Sequence, residues 1–335
     1  MSFKKIFALT LVIFFISTLF TGVSHAASEQ PEKKLLDRPL IIGHKASACE
    51  SYFFAAEKLG LFAKNGLDVE FLRVDTATAR EGIVSGKIDI TDGVLQQWLK
   101  PIEMGMDIKF TLGLHQGCMS TVVKADSPYK DIKDLKGKTI GVSAPLGGGP
   151  QNYLYRYILH EGLDPAKDYN WVAIDSGSLM LALDTDKVDA VIGGDTSTYP
   201  RIKTGNYRYI TLMATDEYLK DETCCLLAFS PVFIKEHKDI ARIVTKILYE
   251  ASKWVNTHKE EAVQYEFEKG YINGTLEDNL SVITPYDFNP GVKIGVESFK
   301  RSFVDYQAVG IIDKNVKLET VLDRAFVIFD DPEIQ

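Results

Sequence analysis

The chain has 335 residues, 45% hydrophobic and 25% charged, with 38 basic against 46 acidic side chains and a formal net charge of −8. That acidic balance argues against nucleic acid or an anionic membrane surface as a partner. The length suits one large or two medium domains with a substantial core.

Met1–Ala26 carries Lys4 and Lys5, an apolar run from Ile6 to Phe20, and small residues at Ser24 and Ala26. This pattern predicts a cleaved export signal, because the apolar run is shorter than the roughly 20 residues a bilayer span needs. The mature protein is therefore expected to be periplasmic or secreted, and monomeric. A strand is expected at Pro39–Ile42, and apolar residues then recur at helical spacing over Tyr52–Lys64, ending at Asn65-Gly66. Leu67–Arg73 alternates as a strand, Ala77–Ser85 reads as a helix closed by Gly86, and Ile88–Thr91 as a strand running into a turn at Asp92-Gly93. A short helix at Val94–Lys100 and strands at Lys109–Leu114 and Ser120–Lys124 follow, and a domain boundary is expected near Ala125.

Beyond it, strands at Thr139–Val142, Trp171–Ile174, Ala190–Ile192 and Arg208–Met213 alternate with helices at Gln151–His160, Ser178–Asp184 and Ser197–Lys203. This predicts a second parallel sheet. An apolar strand at Cys224–Phe229 and a long-helical stretch from Pro231 to Phe267 bring the chain back to the first sheet. The expected organisation is one lobe from 38–124 and 223–332 and a second from 125–222.

Parallel strands place their binding loops at the strand carboxyl ends, so five loops are the candidate site. In the first, Ser47 beside a helix start suits an anion, while Ser47 or Glu50 could equally satisfy that helix end; His44 and Lys45 are weaker candidates. The second offers Asp92 and Gly93, with Asp92 also a natural N-cap. His115 and Cys118 belong to the third. In the fourth, Ser143 to Gln151, three consecutive glycines let bare NH groups converge on a negative group, which nominates Ser143, Gly147, Gly148 and Gln151; it is not a Walker motif, since no Lys-Ser/Thr pair follows Gly149. The fifth gives Asp195 and Thr196, with Asp195 either facing a ligand ammonium or capping a helix. No Arg lies in any of these loops, which favours an uncharged or zwitterionic organic ligand, with Tyr52, Trp98, Tyr153 or Tyr199 available for stacking or for the core.

The words AAEKLGLFAKNGLDVEF, GKIDITDG, KDIKDLKGKTIGV and LDTDKVDAVIGG, in that order, resemble those of the periplasmic solute-binding proteins of ABC importers, in the branch for nitrate, sulfonates, taurine and pyrimidine thiamine precursors. The resemblance covers about Leu40 to Ala262. It implies an α/β, two-lobed periplasmic-binding-protein fold of type II, a small-molecule ligand in the cleft between mainly parallel sheets, closure recognised by a membrane permease, no cofactor and no catalysis.

Four cysteines, Cys49, Cys118, Cys224 and Cys225, converge on the same strand ends. In an exported protein they are expected to form a disulfide such as Cys49–Cys118 or to remain inert thiols; a soft-metal site built from these cysteines is the competing reading. The adjacent pair Cys224-Cys225 also resembles the longer cysteine-rich stretch of eukaryotic thiamine-pyrimidine synthases, which leaves an enzyme of that kind as a third alternative.

Overall fold

The computed structural model describes residues 34–143 and 145–335, so the expected leader Met1–Ala26 lies outside the described residues. Strands β1 (Leu40–His44), β2 (Val69–Arg73), β3 (Ile90–Val94) and β4 (Lys109–His115) alternate with α1 (Ser51–Lys58), α2 (Leu61–Lys64), α3 (Thr76–Ser85) and α4 (Leu99–Glu103). Next come β5 (Met119–Lys124), β6 (Thr139–Val142), α5 (Gly149–His160), β7 (Asn170–Ala173), α6 (Leu179–Asp184), β8 (Ala190–Gly194), α7 (Asp195–Ile202) and β9 (Tyr207–Leu212). β10 (Cys225–Phe229) precedes six helices: α8 (Pro231–Glu236), α9 (Lys238–Thr257), α10 (Lys259–Lys269), α11 (Leu276–Ile283), α12 (Val292–Ala308) and α13 (Leu318–Ala325).

The strands form two five-stranded sheets, ordered β2-β1-β3-β10-β4 and β7-β6-β8-β5-β9. In each, the first three strands are mutually parallel and the fourth runs antiparallel to both neighbours. Each antiparallel strand follows directly on a crossing from the other sheet: β5 comes straight after β4, and β10 straight after β9. The chain therefore changes sheets at residues 116–118, one strand ahead of the boundary expected near Ala125. β5 was legible as a strand, but its partners β8 and β9 lie far along the chain and leave no local mark.

Two further expectations shift. Gly60 adopts a left-handed φ of 66°, which ends α1 and starts α2, so the expected helix Tyr52–Lys64 is two helices. Asp92 and Gly93 are not a turn: they sit inside β3, opposite Leu227 and Leu226 of β10.

Both faces of the first sheet are covered. On one, Phe53 and Ala56 of α1 join Val244, Leu248 and Ala251 of α9, all at most 1% exposed. On the other, Trp98, Phe110, Phe299 and Phe326 form a separate aromatic cluster. The second sheet is covered by Leu179, Leu183 and Val191 on one side and by Tyr153, Leu154 and Ile192 on the other. Each such large side chain contributes about 1.5–3 kcal/mol by burial, which holds the strand ends rigid where the loops emerge.

The lobes are joined by more than their crossings. Arg156 of α5 is fully buried, gives a bidentate pair to Glu222 at 2.6 and 2.8 Å, and donates its Nε to Asp305 of α12 at 2.6 Å. Glu222 stands in the second crossing, just before Cys224. Among the described residues, no helix is long and apolar enough to cross a membrane.

Candidate functional site

A cavity of about 190 Å³ opens between the strand ends of the two sheets. Its floor comes from the first sheet: Lys45 and Cys49 from the loop after β1, Asp92 and Gly93 from β3, and Cys225 from the start of β10. Its roof is Asp195 and Thr196 at the start of α7, and Cys118 and Tyr286 close one side.

The floor is a locked ionic cluster. Lys45 Nζ bonds Asp92 Oδ1, the Asp92 carbonyl at 3.1 Å and Glu50 at 2.8 Å. Tyr52 donates to Asp92 Oδ2, and Glu50 accepts the backbone NH groups of Lys45 and Ser47 at 2.8 and 3.2 Å. Burial works against the Lys45 ammonium, but the Asp92 and Glu50 carboxylates outweigh it and hold its pKa above the ordinary value. Burial likewise pushes Asp92 up, and the Lys45 charge with its hydrogen bonds brings the net shift down. Each Asp92 carboxylate oxygen is thus engaged by a neighbouring side chain, and Asp92 orients Lys45 instead of capping a helix. Gly93 is glycine for packing: a Cβ there would lie 2.7 Å from the Trp98 indole nitrogen.

Next to that cluster, Ser47 Oγ lies 3.3 Å from Cys49 Sγ, so its hydroxyl is engaged with a thiol, and Glu50 is the group that satisfies the helix start. A hydrogen bond from the Cys225 thiol, against burial and aided by His115, holds Cys49 well below the usual thiol range, while the same bond and burial push Cys225 up. Of the two free cysteines, Cys49 is thus the more acidic. His44 points away from the cavity: its Nδ1 accepts from Ala46 N at 3.3 Å, and burial with the neighbouring Lys45 charge pushes it down to about 4.

The roof carries a single carboxylate. Asp195 is buried, accepts the Tyr286 hydroxyl at 2.8 Å on Oδ2, and has no hydrogen-bond partner for Oδ1 among the described residues. Burial raises it to about 6 against the opposing hydrogen bonds. Since Tyr286 follows α11 and Asp195 starts α7, this bond spans the two lobes.

The expected disulfide Cys49–Cys118 is not the one formed. Cys118 pairs with Cys224, with Cα atoms 6.7 Å apart at a sequence separation of 106, which joins the two crossings; Cys49 and Cys225 stay free. Cys118 also has a left-handed φ of 106°, a conformation of about 1–3 kcal/mol strain for a non-glycine residue, held where the chain changes sheets.

The glycine loop does not reach the cavity. Gln151 Oε1 accepts Gly147 N at 2.6 Å and Asn152 Nδ2 donates to Gly147 O at 2.8 Å, so the loop satisfies itself; Gly148 accepts Asn152 N at 3.0 Å, and Ser143 lines a separate surface hollow with Asp175 and Ser176. None of Ser143, Gly147, Gly148 and Gln151 lines the cavity. Tyr52, Trp98 and Tyr153 are core side chains at most 1% exposed, and Tyr199 packs against the core.

A family model described as NMT1/THI5 like matches residues 50–262. The chain belongs to the NMT1/THI5-like family. A curated relative from Haemophilus influenzae, named for thiamine biosynthesis, is 31% identical over 140 residues, which are 41% of this chain and 43% of the relative. The match thus spans less than half of that relative's length. Among solved structures, the periplasmic nitrate-binding protein from Synechocystis PCC 6803 superposes with a TM-score of 0.72 at 15% identity, covering 86% of each chain. The alkanesulfonate-binding protein from Xanthomonas axonopodis pv. citri bound to MOPS gives 0.68 at 15% identity, covering 87% of this chain and 98% of that one. The fold is therefore that of the periplasmic binding proteins.

Within this NMT1/THI5-like chain, Tyr286 is the site residue that sequence reasoning missed. It follows a short helix 91 positions from Asp195, and no motif marks it. Cys225, by contrast, was legible as part of the Cys224-Cys225 pair opening the returning strand, which in the structure begins at Cys225.

Proposed function

We propose that the protein is the extracytoplasmic solute-binding component of an ABC importer, and that its solute is a small organic molecule presenting a protonated or hydrogen-bond-donating nitrogen, of taurine-like or aminopyrimidine type. The observation that carries this reading is Asp195: a buried carboxylate on the cavity roof with one oxygen held by Tyr286 and the other buried without a hydrogen-bond partner among the described residues. A buried acceptor without a donor costs about 1–3 kcal/mol, and a solute N–H recovers it. A plain oxyanion fits less well, because Lys45, the cation on the cavity lining, is already held by Asp92 and Glu50. At about 190 Å³ the cavity lies below the 300–1,000 Å³ of drug-sized sites, in keeping with a solute of a few atoms. Uptake proceeds by binding and lobe closure without chemistry on the solute, and the closed form docks on a membrane permease.

Thermal unfolding in the presence of taurine, aminopyrimidines, alkanesulfonates and nitrate tests this. An amine or aminopyrimidine is expected to raise the melting temperature with the concentration dependence of mass action, and Asp195→Asn to weaken that shift tenfold or more. A shift with nitrate or simple sulfonates alone, or with none of the four classes, would overturn the reading.

A further inference from the structure

Behind the cavity floor stand three groups that the solute reading does not use. A ring nitrogen of His115, Cys225 Sγ and Cys118 Sγ all lie within 4.8 Å of one another. Cys118 is bonded to Cys224, so a soft-metal site built on the four cysteines has lost two of its sulfurs. What the geometry leaves is a free thiol, Cys225, beside both a disulfide sulfur and an imidazole. The backbone fixes that arrangement. His115 and Cys225 are register partners across β4 and β10, while Cys224 donates its NH to the His115 carbonyl at 2.7 Å and accepts the Leu95 NH at 2.7 Å.

The imidazole is set to take a proton. Its Nδ1 lies 3.2 Å from the Gln116 carbonyl, which only accepts, so Nδ1 carries the ring proton. Nε2 then presents a lone pair, buried without a hydrogen-bond partner among the described residues. Stacking on Tyr286 at 5.6 Å and packing on Phe288 at 5.3 Å fix the ring plane. A thiol next to a buried base is the arrangement that activates a cysteine, and the thiolate is the form that attacks a disulfide.

We propose that Cys225, His115 and the Cys118–Cys224 bond form an intramolecular thiol–disulfide exchange centre, through which the staple between the two crossings moves from Cys224 to Cys225. His115 Nε2 takes the Cys225 thiol proton, the Cys225 sulfur attacks Cys118 Sγ, and the Cys118–Cys224 bond breaks as the new one forms. The electron pair leaves on Cys224 Sγ, which receives the proton back from the imidazolium. One S–S bond forms and one breaks, so the step needs no oxidant or reductant. Cys118 and Cys225 line the cavity, whereas Cys224 is fully buried outside that lining. Exchange therefore removes a thiol from the cavity and places the free thiol behind it, while the two crossings stay joined. The step goes beyond the solute reading, since Asp195 takes no part in it.

The test uses the mature chain purified without reductant. Trapping free thiols with N-ethylmaleimide in acid denaturant, followed by peptic mapping, reads which cysteines are free, because acid protonates the thiolates that carry exchange. Wild type is expected to give two populations, one free at Cys49 and Cys225 and one free at Cys49 and Cys224, the second in about a tenth of chains or more. Cys225→Ser should leave Cys49 as the sole labelled residue, and Cys224→Ala should still form a disulfide, now between Cys118 and Cys225. On the native chain, slow alkylation with iodoacetamide should reach Cys224 about tenfold or more slowly in His115→Gln than in wild type. Cys224→Ala reads the same geometry if the buried His115 substitution unfolds the chain. No Cys224 label in wild type, or a Cys49–Cys118 bond or three free thiols in Cys224→Ala, overturns the centre; an unchanged rate in folded His115→Gln overturns the role of the imidazole. The solute-induced thermal shift of Cys225→Ser, read separately, reports on the Asp195 reading alone.

Discussion

The two lobes share one strand order, with a single antiparallel strand in the same place, yet their strand ends carry different chemistry. The first lobe supplies Lys45, Cys49, Asp92 and Cys225 to the cavity, most of it bonded together before any solute arrives. The second supplies Asp195 and Thr196, and the loop that looked most like its binding element, Gly147 to Gln151, is folded on itself. The architecture is nearly symmetric and the chemistry is not. The first lobe behaves as a preorganised floor, and the second contributes a carboxylate whose Oδ2 is bonded across the cleft to Tyr286 and whose Oδ1 has no partner among the described residues.

Substitutions at the joints between the lobes test that contrast most severely. Arg156→Leu leaves Glu222 and Asp305 without their buried partner, and chemical denaturation should show a loss of about 3–5 kcal/mol. A loss under about 1 kcal/mol would mean that the lobes do not depend on this joint. Removing the staple with Cys118→Ser/Cys224→Ser should cost about 2–4 kcal/mol, since the bond closes a long loop. Equal stability of the oxidised wild type and this variant would argue against a bond between the crossings.

Asp195 should respond in the opposite direction. Burial holds Asp195 at about 6, above its ordinary 3.8, so the folded state retains a proton over that interval that the unfolded state has lost. Its cost is absent below about pH 4, grows as pH rises toward 6, and is complete above that. Asp195→Asn should therefore raise stability by up to about 3 kcal/mol at neutral pH, with the gain fading as pH falls from 6 to 4. Melting curves across that range check it, and a gain independent of pH would assign the effect to packing. The smallest change is expected for Tyr286→Phe, which removes one hydrogen bond across the cleft: about 1–2 kcal/mol less stability, with Asp195 pushed further up. An unaltered Asp195 titration, followed by carboxyl NMR, would show that the lobes do not meet there.

Much of this was legible in the linear chain. The alternation from Tyr52 to Gly93 and from Thr139 to Met213 marked the strands to within a few residues, because period-two and helical hydrophobic patterns are local properties. The positions where expectation failed turn on contacts that hydrophobic periodicity does not encode. β5 looked like the last strand of the first lobe until its pairing with β8 and β9 was known. The glycines before Gln151 suited an anion until the Gln151 side chain occupied Gly147 N. Cys118 had three possible partners, and only the meeting of the two crossings selects Cys224.

The sequence by itself determined the class of the protein: strand and helix order, the return of the chain after a second sheet, and the family words are all written in contiguous residues. Tertiary structure alone decided the chemistry of the cleft, namely which carboxylate oxygen lacks a partner, which thiols are free and which lobe holds the charges. The physical reason is that hydrophobic periodicity acts over a few residues, whereas hydrogen-bond satisfaction, disulfide pairing and desolvation are settled between side chains that only the fold brings together.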